Sequence, residues 1–526
     1  MRFFRVAAVL AALTTSLPLL VAGSVAAVDD SGVLSGHGHG GPSDASTQPS
    51  SEDDDRGMTD EEALTAGKEL AQRLLTARMG ETIVVGPGRY TGNFVLPVQA
   101  TLVGEGRPVL DGGGVGTVLE VPDGADGTVV RGLRLIASGP GPFNTPSGMR
   151  IEASNVLVED VEVADSYMGI QVMGGSNVHL VGNRVESFAD GAVDNELHAT
   201  GGEVDATGTA HSGHDGETRR LRGDAVTLWN ATAPVVEGNV IDHARDGIYL
   251  SFAADAVIRD NEVRNSRYAI HGMAAVRLVA RSNYFAGNLA GAILMYGGPF
   301  EIIGNTILES GSPATGFGLV LKDGAGATIA ENVIVANRVG IKLDNGGATS
   351  SNTGPATIRG NTIGMNQIGV EIMSASRGYF SANSFVENTV QAVTDGPVPN
   401  LVWTLDGRGN FWSNYRGYDA DGDGIGDVPF VQGGSIANTL TRSPVMISLA
   451  SGPGFRLLQA IEDRWAPEHP VVVDPHPLIS MESPVVPEAL RPKSAPVWFS
   501  VVGGVAAVAA ALALLAGRRT RKVRHV

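Results

Sequence analysis

The sequence predicts an all-β protein, a right-handed parallel β-helix (solenoid) with an N-terminal capping helix and a C-terminal transmembrane helix. Two observations predict the solenoid. A small or acidic residue followed by asparagine recurs at intervals close to 22 residues, and a glycine or alanine followed by alternating apolar residues keeps phase with it eight residues later. A 22-residue unit made of short strands and turns contains no helix. This pattern excludes leucine-rich and helical repeats and leaves a parallel β-helix.

The recurring asparagine defines the rungs of the predicted solenoid. Spacings of 22 residues run from Asn239 to Asn305, and later spacings of 27 and 29 indicate loops inserted into single rungs. The gap of 56 residues between Asn183 and Asn239 fits two rungs plus an insertion of about 12 residues. We expect each asparagine to adopt the left-handed turn conformation and to hydrogen-bond along the stack. The set is Asn183, Asn239, Asn261, Asn283, Asn305, Asn332, Asn361, Asn383 and Asn410.

The two ends of the chain predict export and a membrane anchor. Basic residues, an apolar stretch and small residues before Val28 are typical of a signal peptide. Residues 59–78 predict an amphipathic helix that begins with a capping box at Thr59 and Glu62. The stretch 497–517 carries no charge and precedes a basic tail, which predicts a single-pass membrane protein with its β-helix on the extracytoplasmic side. The predicted boundaries are signal peptide 1–27, low-complexity linker 28–57, β-helix 58–400, C-terminal region with an Asp-rich loop 401–480, Pro-rich stalk 481–496, transmembrane helix 497–517 and cytoplasmic tail 518–526.

Composition limits the functions that the chain can have. It contains no cysteine, which excludes disulfides and thiolate metal sites. Its formal net charge of −18 argues against nucleic acid as a partner and suits cations or a basic protein surface.

Three stretches of the sequence resemble one known family. They are residues 83–93 with 103–112 near the start of the solenoid, the pair Gly409–Tyr415 and Asp419–Pro429, and a tail made of Ser443–Met446, Leu457–Leu458 and Val473–Leu478. In these stretches the chain resembles the NosD family of nitrous-oxide-reductase maturation proteins, over residues 59–478. The resemblance implies a non-enzymatic, extracytoplasmic β-helix that works with an ABC transporter (its permease and ATPase). Its other partners would be the reductase or a copper chaperone, and it would help to supply copper or sulfur to the reductase's copper centres. The C-terminal membrane span departs from the family's soluble pattern.

Histidine and methionine are the soft or borderline copper ligands that remain when cysteine is absent. Strand alternation places His271 and Met273 on the outer face of one rung and Met295 at the same position of the next rung. We therefore predict a Cu(I) site at these three residues. The alternative is that the methionines pack beneath a loop or a partner protein.

Two further sets of residues are candidate metal ligands. The insertion after Asn195 contains three histidines that can bind a metal, or that belong to a solvated loop without an ion. An acidic segment has oxygen ligands at the first, third, fifth and ninth positions of a calcium loop, although position twelve is Phe430 instead of glutamate. Its alternative is an Asp/Gly turn without an ion. The candidates are His198, His211 and His214 in the insertion, and Asp419, Asp421, Asp423 and Asp427 in the acidic segment.

The alternative function comes from another class, a carbohydrate-active β-helix protein that cleaves or binds polysaccharide. Cleavage needs clustered carboxylates on neighbouring rungs. Asp246 falls in phase with Asp190, but the next rungs carry Tyr268 and Ala290 at that position, so the acidic residues do not continue. The sequence also shows no aromatic platform for sugar. We therefore predict that the chain is not an enzyme.

Overall fold

The computed structural model describes residues 58–141, 144–188, 203–204, 209–211, 218–311, 316–324, 326–345, 354–396, 400–433 and 470–484. Within these residues, three long sheets follow the chain, with 13, 13 and 12 strands, and every strand pair in them is parallel. Neighbouring strands of each sheet come from successive rungs, so the chain passes from sheet A to sheet B to sheet C and then begins the next rung. This arrangement confirms an all-β fold of parallel sheets and is consistent with a right-handed β-helix.

Sheet A forms the first side of each rung. Its strands are β1 (Glu81–Val85), β4 (Ala100–Gly104), β7 (Val129–Arg131), β10 (Leu157–Glu159), β13 (His179–Val181), β19 (Val235–Glu237), β22 (Val257–Arg259), β25 (Leu278–Arg281), β28 (Phe300–Ile303), β31 (Ala327–Ala330), β34 (Ala356–Arg359), β37 (Gly378–Ser381) and β40 (Leu401–Val402).

Sheet B forms the second side. Its strands are β2 (Arg89–Thr91), β5 (Val109–Asp111), β8 (Arg134–Ile136), β11 (Glu162–Ala164), β14 (Arg184–Glu186), β20 (Val240–Asp242), β23 (Glu262–Arg264), β26 (Tyr284–Ala286), β29 (Thr306–Leu308), β32 (Val333–Val335), β35 (Thr362–Gly364), β38 (Ser384–Val386) and β41 (Phe411–Trp412).

Sheet C forms the third side. Its strands are β3 (Phe94–Val95), β6 (Leu119–Val121), β9 (Ser147–Ile151), β12 (Met168–Met173), β18 (Val226–Trp229), β21 (Asp246–Ser251), β24 (Tyr268–Met273), β27 (Ala290–Met295), β30 (Phe317–Lys322), β33 (Val339–Asp344), β36 (Ile368–Ile372) and β39 (Val390–Thr394).

A single insertion interrupts the rungs between β14 and β18. It contains three short antiparallel strands, β15 (Glu203–Val204), β16 (Thr209–His211) and β17 (Thr218–Arg220). Strands β13 and β19 pair directly, so Asn183 and Asn239 lie on adjacent rungs. The prediction of two rungs in this gap is therefore wrong. One rung therefore carries the whole insertion, which adds 34 residues to a rung of 22.

The recurring asparagines form a continuous buried ladder at the corner between sheets A and B. Asn239 donates from both its backbone N and its Nδ2 to Oδ1 of Asn261, at 3.0 and 2.9 Å. The same pair of bonds joins each rung to the next, from Asn183 to Asn410. The predicted ladder is thus confirmed. The left-handed conformation belongs instead to the residue before the asparagine, such as Asp260 with φ of 58°.

A second, shorter ladder lies at the corner between sheets B and C. Asn337 donates from its backbone N to Oδ1 of Asn366 at 2.9 Å, and Asn366 donates in the same way to Asn388 at 3.0 Å. Earlier rungs use serine, as where the backbone N of Ser266 donates to Oδ1 of Asn288 at 3.0 Å. The sequence analysis missed this ladder, although its signal is an asparagine or serine five residues after each first-ladder asparagine from Asn261 to Asn383.

Apolar side chains from all three sheets fill the interior, and a helix covers the first rung. Helix α1 (Asp60–Leu75) begins with the predicted capping box, in which the backbone N of Thr59 donates to Glu62 Oε2 at 2.7 Å. It packs against β2 so closely that a Cβ atom at Gly67 would lie 2.0 Å from the carbonyl oxygen of Thr91. The helix therefore covers the first strand of sheet B, where an exposed edge could otherwise pair with another strand.

The other end is closed by stacked aromatic rings and a two-stranded antiparallel sheet, β42 (Phe430–Gly433) and β43 (Pro470–Asp474). The indole of Trp412 stacks between the rings of Phe385 and Phe430, with centroids 4.2 and 4.5 Å away. Beside it, the buried carboxylate of Asp474 accepts hydrogen bonds from Trp412 Nε1 at 2.9 Å and from the backbone N of Asn410 at 2.7 Å. The carboxylate thus receives the last donors of the asparagine ladder.

Several predicted segments lie outside the described residues. These are the signal peptide, the linker, the transmembrane helix, the basic tail and the stalk beyond residue 484. Within the part of the chain that the structure describes, no helix is long and apolar enough to cross a membrane.

Candidate functional site on the outer face of sheet C

The outer face of sheet C carries the predicted copper ligands in two rows that cross five consecutive strands. Side chains of these strands alternate between the core and the outer face, as Ile270 and His271 do. The register aligns the outer residues from rung to rung. The His271 row contains Gln171, Thr227, Tyr249, His271 and Ile293, and the methionine row contains Met173, Trp229, Ser251, Met273 and Met295.

Met273 and Met295 lie directly opposite each other on β24 and β27, and both are half-buried. Adjacent parallel strands are about 4.8 Å apart, which lets two flexible thioethers reach one ion. Two thioethers favour a soft cation such as Cu(I). Lys322 and Asp344 follow in the same row, so the methionine pair ends at charged neighbours.

His271 is held by a carboxylate of the preceding rung. Its Nδ1 lies 2.8 Å from Oδ2 of Asp246, and its side chain is 15% exposed. The rings of Tyr249 and Tyr268 contact it from two sides, each with its centroid 5.1 Å from that of the imidazole. The imidazole is therefore fixed on one edge, and Nε2 is the nitrogen that a ligand or metal can use.

Asp246 belongs to one of two buried ion pairs stacked at the start of sheet C. Arg267 donates from Nε and Nη2 to the two carboxylate oxygens of Asp246, at 2.8 and 2.7 Å. Arg245 binds Asp224 in the same bidentate manner one rung earlier, with both distances 2.8 Å. Both carboxylates are almost completely buried, so each depends on its guanidinium for compensation.

The two carboxylates differ in their electrostatics. Burial and the charge of Asp246 raise the pKa of Asp224, against the opposing effect of Arg245. Burial alone would raise the pKa of Asp246, but hydrogen bonds from His271 and Arg267 hold it below the usual value. The pKa of Asp246 is therefore shifted in the opposite direction to that of Asp224.

Sequence reasoning missed Asp224, Arg245 and Arg267. It aligned Asp246 with Asp190 because the gap before Asn239 was counted as two rungs. In the structure the rung before Asp246 contributes Asp224, and Asp190 lies outside the described residues. The signal in the sequence was the recurrence of Asp224 and Asp246 at 22 residues, with Arg245 and Arg267 at the same spacing.

The first members of the His271 row are polar, outward-facing and nevertheless buried. Gln171 is 3% exposed and Thr227 is 5% exposed. Gln171 Oε1 and Thr227 Oγ1 have no hydrogen-bond partner among the residues that the structure describes. This end of the row thus carries buried polar groups on the outer face of sheet C.

Exposed aromatic side chains lie at the edge of the methionine row. Trp229 and Phe252 meet edge to face, with ring centroids 6.2 Å apart, and they are 45% and 62% exposed. Tyr296, next to Met295, is 50% exposed. Residues from adjacent rungs thus bring two aromatic rings together at this edge of sheet C.

The histidines predicted in the insertion are not brought together by the described part of the structure. His198 and His214 lie outside the described residues, and only the backbone of His211, the last residue of β16, is described. Metal binding by these three residues stays a prediction.

The acidic loop brings three of its four predicted ligands together. Single carboxylate oxygens of Asp419, Asp421 and Asp423 lie within 4.8 Å of one another. Oδ2 of Asp427 accepts a hydrogen bond from the backbone N of Ala420 at 2.6 Å. Hydrogen bonds from backbone N–H groups, chiefly that of Gly424, lower the pKa of Asp419. These backbone donors thus stabilise the ionised form of Asp419.

Comparison with known proteins agrees with the resemblance in the sequence. The sequence model of the family described as "Periplasmic copper-binding protein (NosD)" matches residues 207–417, which include His271, Met273 and Met295. A protein of Pseudomonas aeruginosa named "Probable ABC transporter binding protein NosD" is 25% identical over 407 residues, 75% of this chain and 87% of its own length. A protein of the same name from Stutzerimonas stutzeri is 30% identical over 127 residues, 24% of this chain and 29% of its own length.

Among solved structures, the A-module of the mannuronan C-5 epimerase AlgE6 from Azotobacter vinelandii matches with a TM-score of 0.50 and 16% identity, covering 67% of this chain and 95% of that module. At this identity the likeness shows the fold alone, and no sugar chemistry is carried over to this chain. The family match and the two relatives agree with each other. Over these residues the chain is similar to the NosD family.

Proposed function

We propose that this chain is an extracytoplasmic accessory protein for copper-centre assembly of nitrous oxide reductase, and that it acts by holding copper on the outer face of sheet C. The observation that carries the proposal is the register of Met273 opposite Met295, with His271 on the same strand. Thioether and imidazole ligands suit Cu(I), and the absence of cysteine leaves them as the soft ligands of the sequence. Copper is the cargo of this site, and the chain performs no catalysis.

The structure fits a transfer site better than a permanent metal centre. Met273 and Met295 are half-buried at one edge of the sheet, so a partner can reach the ion from solvent. Exposed Trp229 and Phe252 lie along the same edge and give a partner protein an apolar contact. A closed and fully buried site would hold the ion too well to pass it on.

Copper binding is tested first on the purified full-length chain, under reducing conditions, by competition with a chromogenic Cu(I) chelator. The site variant carries His271→Gln, Met273→Leu and Met295→Leu. The matched control carries Met173→Leu and Met373→Leu, which remove two half-buried methionines at the same strand phase elsewhere. We expect one equivalent of Cu(I) in the unsubstituted chain and in the control, and a loss of this binding in the site variant. Equal binding in all three proteins would contradict the site.

A separate arm of the same titration removes the insertion histidines, with His198, His211 and His214 replaced by alanine. Binding that disappears only in this arm would move the copper site from sheet C to the insertion. Binding that is retained keeps the site on the methionine row.

We further propose that the chain works beside an ABC transporter, with the reductase or a copper chaperone as a second partner and a single-pass anchor at residues 497–517. The names of the family and of the relatives support an extracytoplasmic, transporter-associated protein. In a host that makes the reductase, deletion of the gene should yield reductase protein without copper. The site variant should fail to restore copper content, and the Met173→Leu, Met373→Leu control should restore it. Normal copper content in the deletion strain would contradict the function.

The acidic loop is proposed to bind calcium through Asp419, Asp421 and Asp423, with Asp427 at its end. The convergence of three carboxylates supports this, and hard oxygen ligands suit Ca²⁺. We expect Ca²⁺ to raise the thermal midpoint of the unsubstituted chain and to leave an Asp421→Asn variant unchanged. An equal response of both proteins would refute the site.

A further inference from the structure

The contact between Asp246 and His271 fixes more than the direction of the imidazole. A neutral imidazole has one ring N–H and one nitrogen with a lone pair, and the hydrogen bond at one nitrogen sets the role of the other. Asp246 Oδ2 lies 2.8 Å from Nδ1 of His271, and the bidentate Arg267 keeps this carboxylate ionised. An ionised carboxylate only accepts hydrogen bonds. In the neutral imidazole, Nδ1 is therefore the protonated nitrogen and Nε2 carries the lone pair.

The surroundings leave the ring little freedom to turn. The rings of Tyr249 and Tyr268 contact the imidazole at centroid distances of 5.1 Å. The guanidinium of Arg267 lies over the ring of Tyr268, with its Cζ 4.6 Å from the centroid, so the ion pair and this tyrosine stabilise each other. Asp246 itself is completely buried. The imidazole is thus clamped before any metal arrives.

We propose that Asp246 is a positioning residue of the copper site, which holds His271 in the tautomer whose Nε2 is free to bind copper. The inference rests on the proposed function and deepens it, because it assigns the ligand atom of His271 and the group that prepares it. Asp246 does not touch the metal and acts through the imidazole. Carboxylates that orient a metal-bound histidine in this way commonly contribute a factor of about 10–100 to metal affinity.

The chain contains a natural control for this proposal. Asp224 and Arg245 form the same buried bidentate pair one rung earlier, and Tyr249 stands there in the place of His271. A change to either pair disturbs sheet C in a similar way. Only a change to the pair of Asp246 and Arg267 removes the acceptor of His271.

Two double variants exploit this symmetry, Asp246→Leu with Arg267→Met, and Asp224→Leu with Arg245→Met. Replacing both members of a buried ion pair by apolar residues leaves no unpaired charge, and such replacements are often neutral for stability. The single variant Asp246→Asn is made beside them. Circular dichroism of each full-length protein checks that the β-helix has formed.

The first readout is the protonation of the His271 ring, from the ¹⁵N resonances of the full-length chain with labelled histidine, assigned by comparison with His271→Gln. We expect protonated Nδ1 in the unsubstituted chain and in the Asp224 and Arg245 variant. We expect protonated Nε2 to become populated in the Asp246 and Arg267 variant. An unchanged ring in that variant would overturn the proposal.

The second readout is Cu(I) affinity by the chelator competition. We expect a loss of about 10–100-fold in the Asp246 and Arg267 variant and unchanged affinity in its control. Equal losses in both double variants would reduce the effect to a general disturbance of sheet C and overturn the positioning role. If the unsubstituted chain binds no Cu(I), the proposed function fails, and the ring resonances still decide whether Asp246 sets the tautomer.

Discussion

The corner between sheets A and B and the outer face of sheet C belong to the same rungs but are built by opposite rules. At the corner, nine consecutive rungs carry the same residue, and each asparagine makes the same two bonds to the next. On the outer face, the His271 row changes its residue type at every rung, from Gln171 to Ile293. A residue type that repeats at every rung therefore indicates a role in stacking the rungs. A residue type that occurs at one rung only indicates a function of that rung beyond stacking.

The comparison has an energetic basis. The ladder asparagines are at most 1% exposed, so a missing partner leaves buried amide groups without hydrogen bonds. Met273 and Met295 are half-buried apolar side chains on the outer face, whose replacement by another apolar residue leaves no polar group unpaired. Stability should therefore depend on the corner, and copper binding on the outer face.

The largest expected effect is that of Asn305→Ala in the middle of the ladder. The change removes Oδ1 of Asn305, which accepts a hydrogen bond from Nδ2 of Asn283. It also removes Nδ2 of Asn305, which donates to Oδ1 of Asn332 and to the carbonyl oxygen of Ala280. We expect a loss of about 3 kcal/mol of stability, because several buried groups lose their partners together. The measurement is the denaturant midpoint.

The control for this change is Asn265→Gly, at an exposed asparagine with φ of 49°, which glycine adopts without strain. Its midpoint should stay close to that of the unsubstituted chain. Equal midpoints for Asn305→Ala and Asn265→Gly would contradict the prediction, because the buried ladder would then contribute no more to stability than an exposed turn.

A smaller effect is expected at the end of the ladder, from Asp474→Asn. Burial raises the pKa of Asp474, while hydrogen bonds from Trp412 and Asn410 oppose the shift. The amide of asparagine would place two N–H donors among groups that already donate, including the backbone N of Asn410. We expect a loss of about 1–3 kcal/mol in unfolding free energy.

Tryptophan fluorescence is suited to this variant, since Trp412 lies beside Asp474. Unfolding of the C-terminal end should precede loss of the far-ultraviolet β signal. If the midpoints from fluorescence and from the far-ultraviolet signal both equal those of the unsubstituted chain within experimental error, the carboxylate does not stabilise the C-terminal cap.

The smallest effect on stability is expected for the double change Met273→Leu and Met295→Leu. Leucine conserves volume and apolar character, so the denaturant midpoint should stay within about 1 kcal/mol of the original. The same protein should lose its Cu(I) affinity in the chelator competition. A large drop in stability without a change in copper binding would show that the pair serves packing, as the alternative interpretation of the sequence holds.

The sequence predicted the parts of the molecule that repeat. The spacing of Asn239, Asn261 and Asn283 identified the rungs, and strand alternation identified the outer phase of His271 and Met273. It failed at the insertion, because 56 residues can be divided into rungs in more than one way and only pairing across the gap decides. That miscount hid Asp224, and with it the acidic neighbour of Asp246.

The contacts of the site were beyond the sequence for a physical reason. The bond between Asp246 and His271 joins residues 25 apart that belong to different rungs and different strand phases. The left-handed turn residue was also misassigned, because asparagine tolerates that conformation elsewhere but is needed here for its amide. In the ladder, asparagine is required for the hydrogen bonds of its amide and not for its tolerance of the left-handed conformation.

The ladder also gives the solenoid an electrical direction. Each asparagine up to Asn383 receives a hydrogen bond at its carbonyl oxygen from the preceding rung and donates from Nδ2 to the next, so these amide dipoles add along the axis. The second N–H of Nδ2 donates to a backbone carbonyl of the preceding rung, as from Asn239 to Leu180. The column is therefore positive at its C-terminal end, as an α-helix is at its N-terminus. The carboxylate of Asp474 lies at that pole. It occupies the donors of Asn410 that a further rung would need, and the ladder ends there.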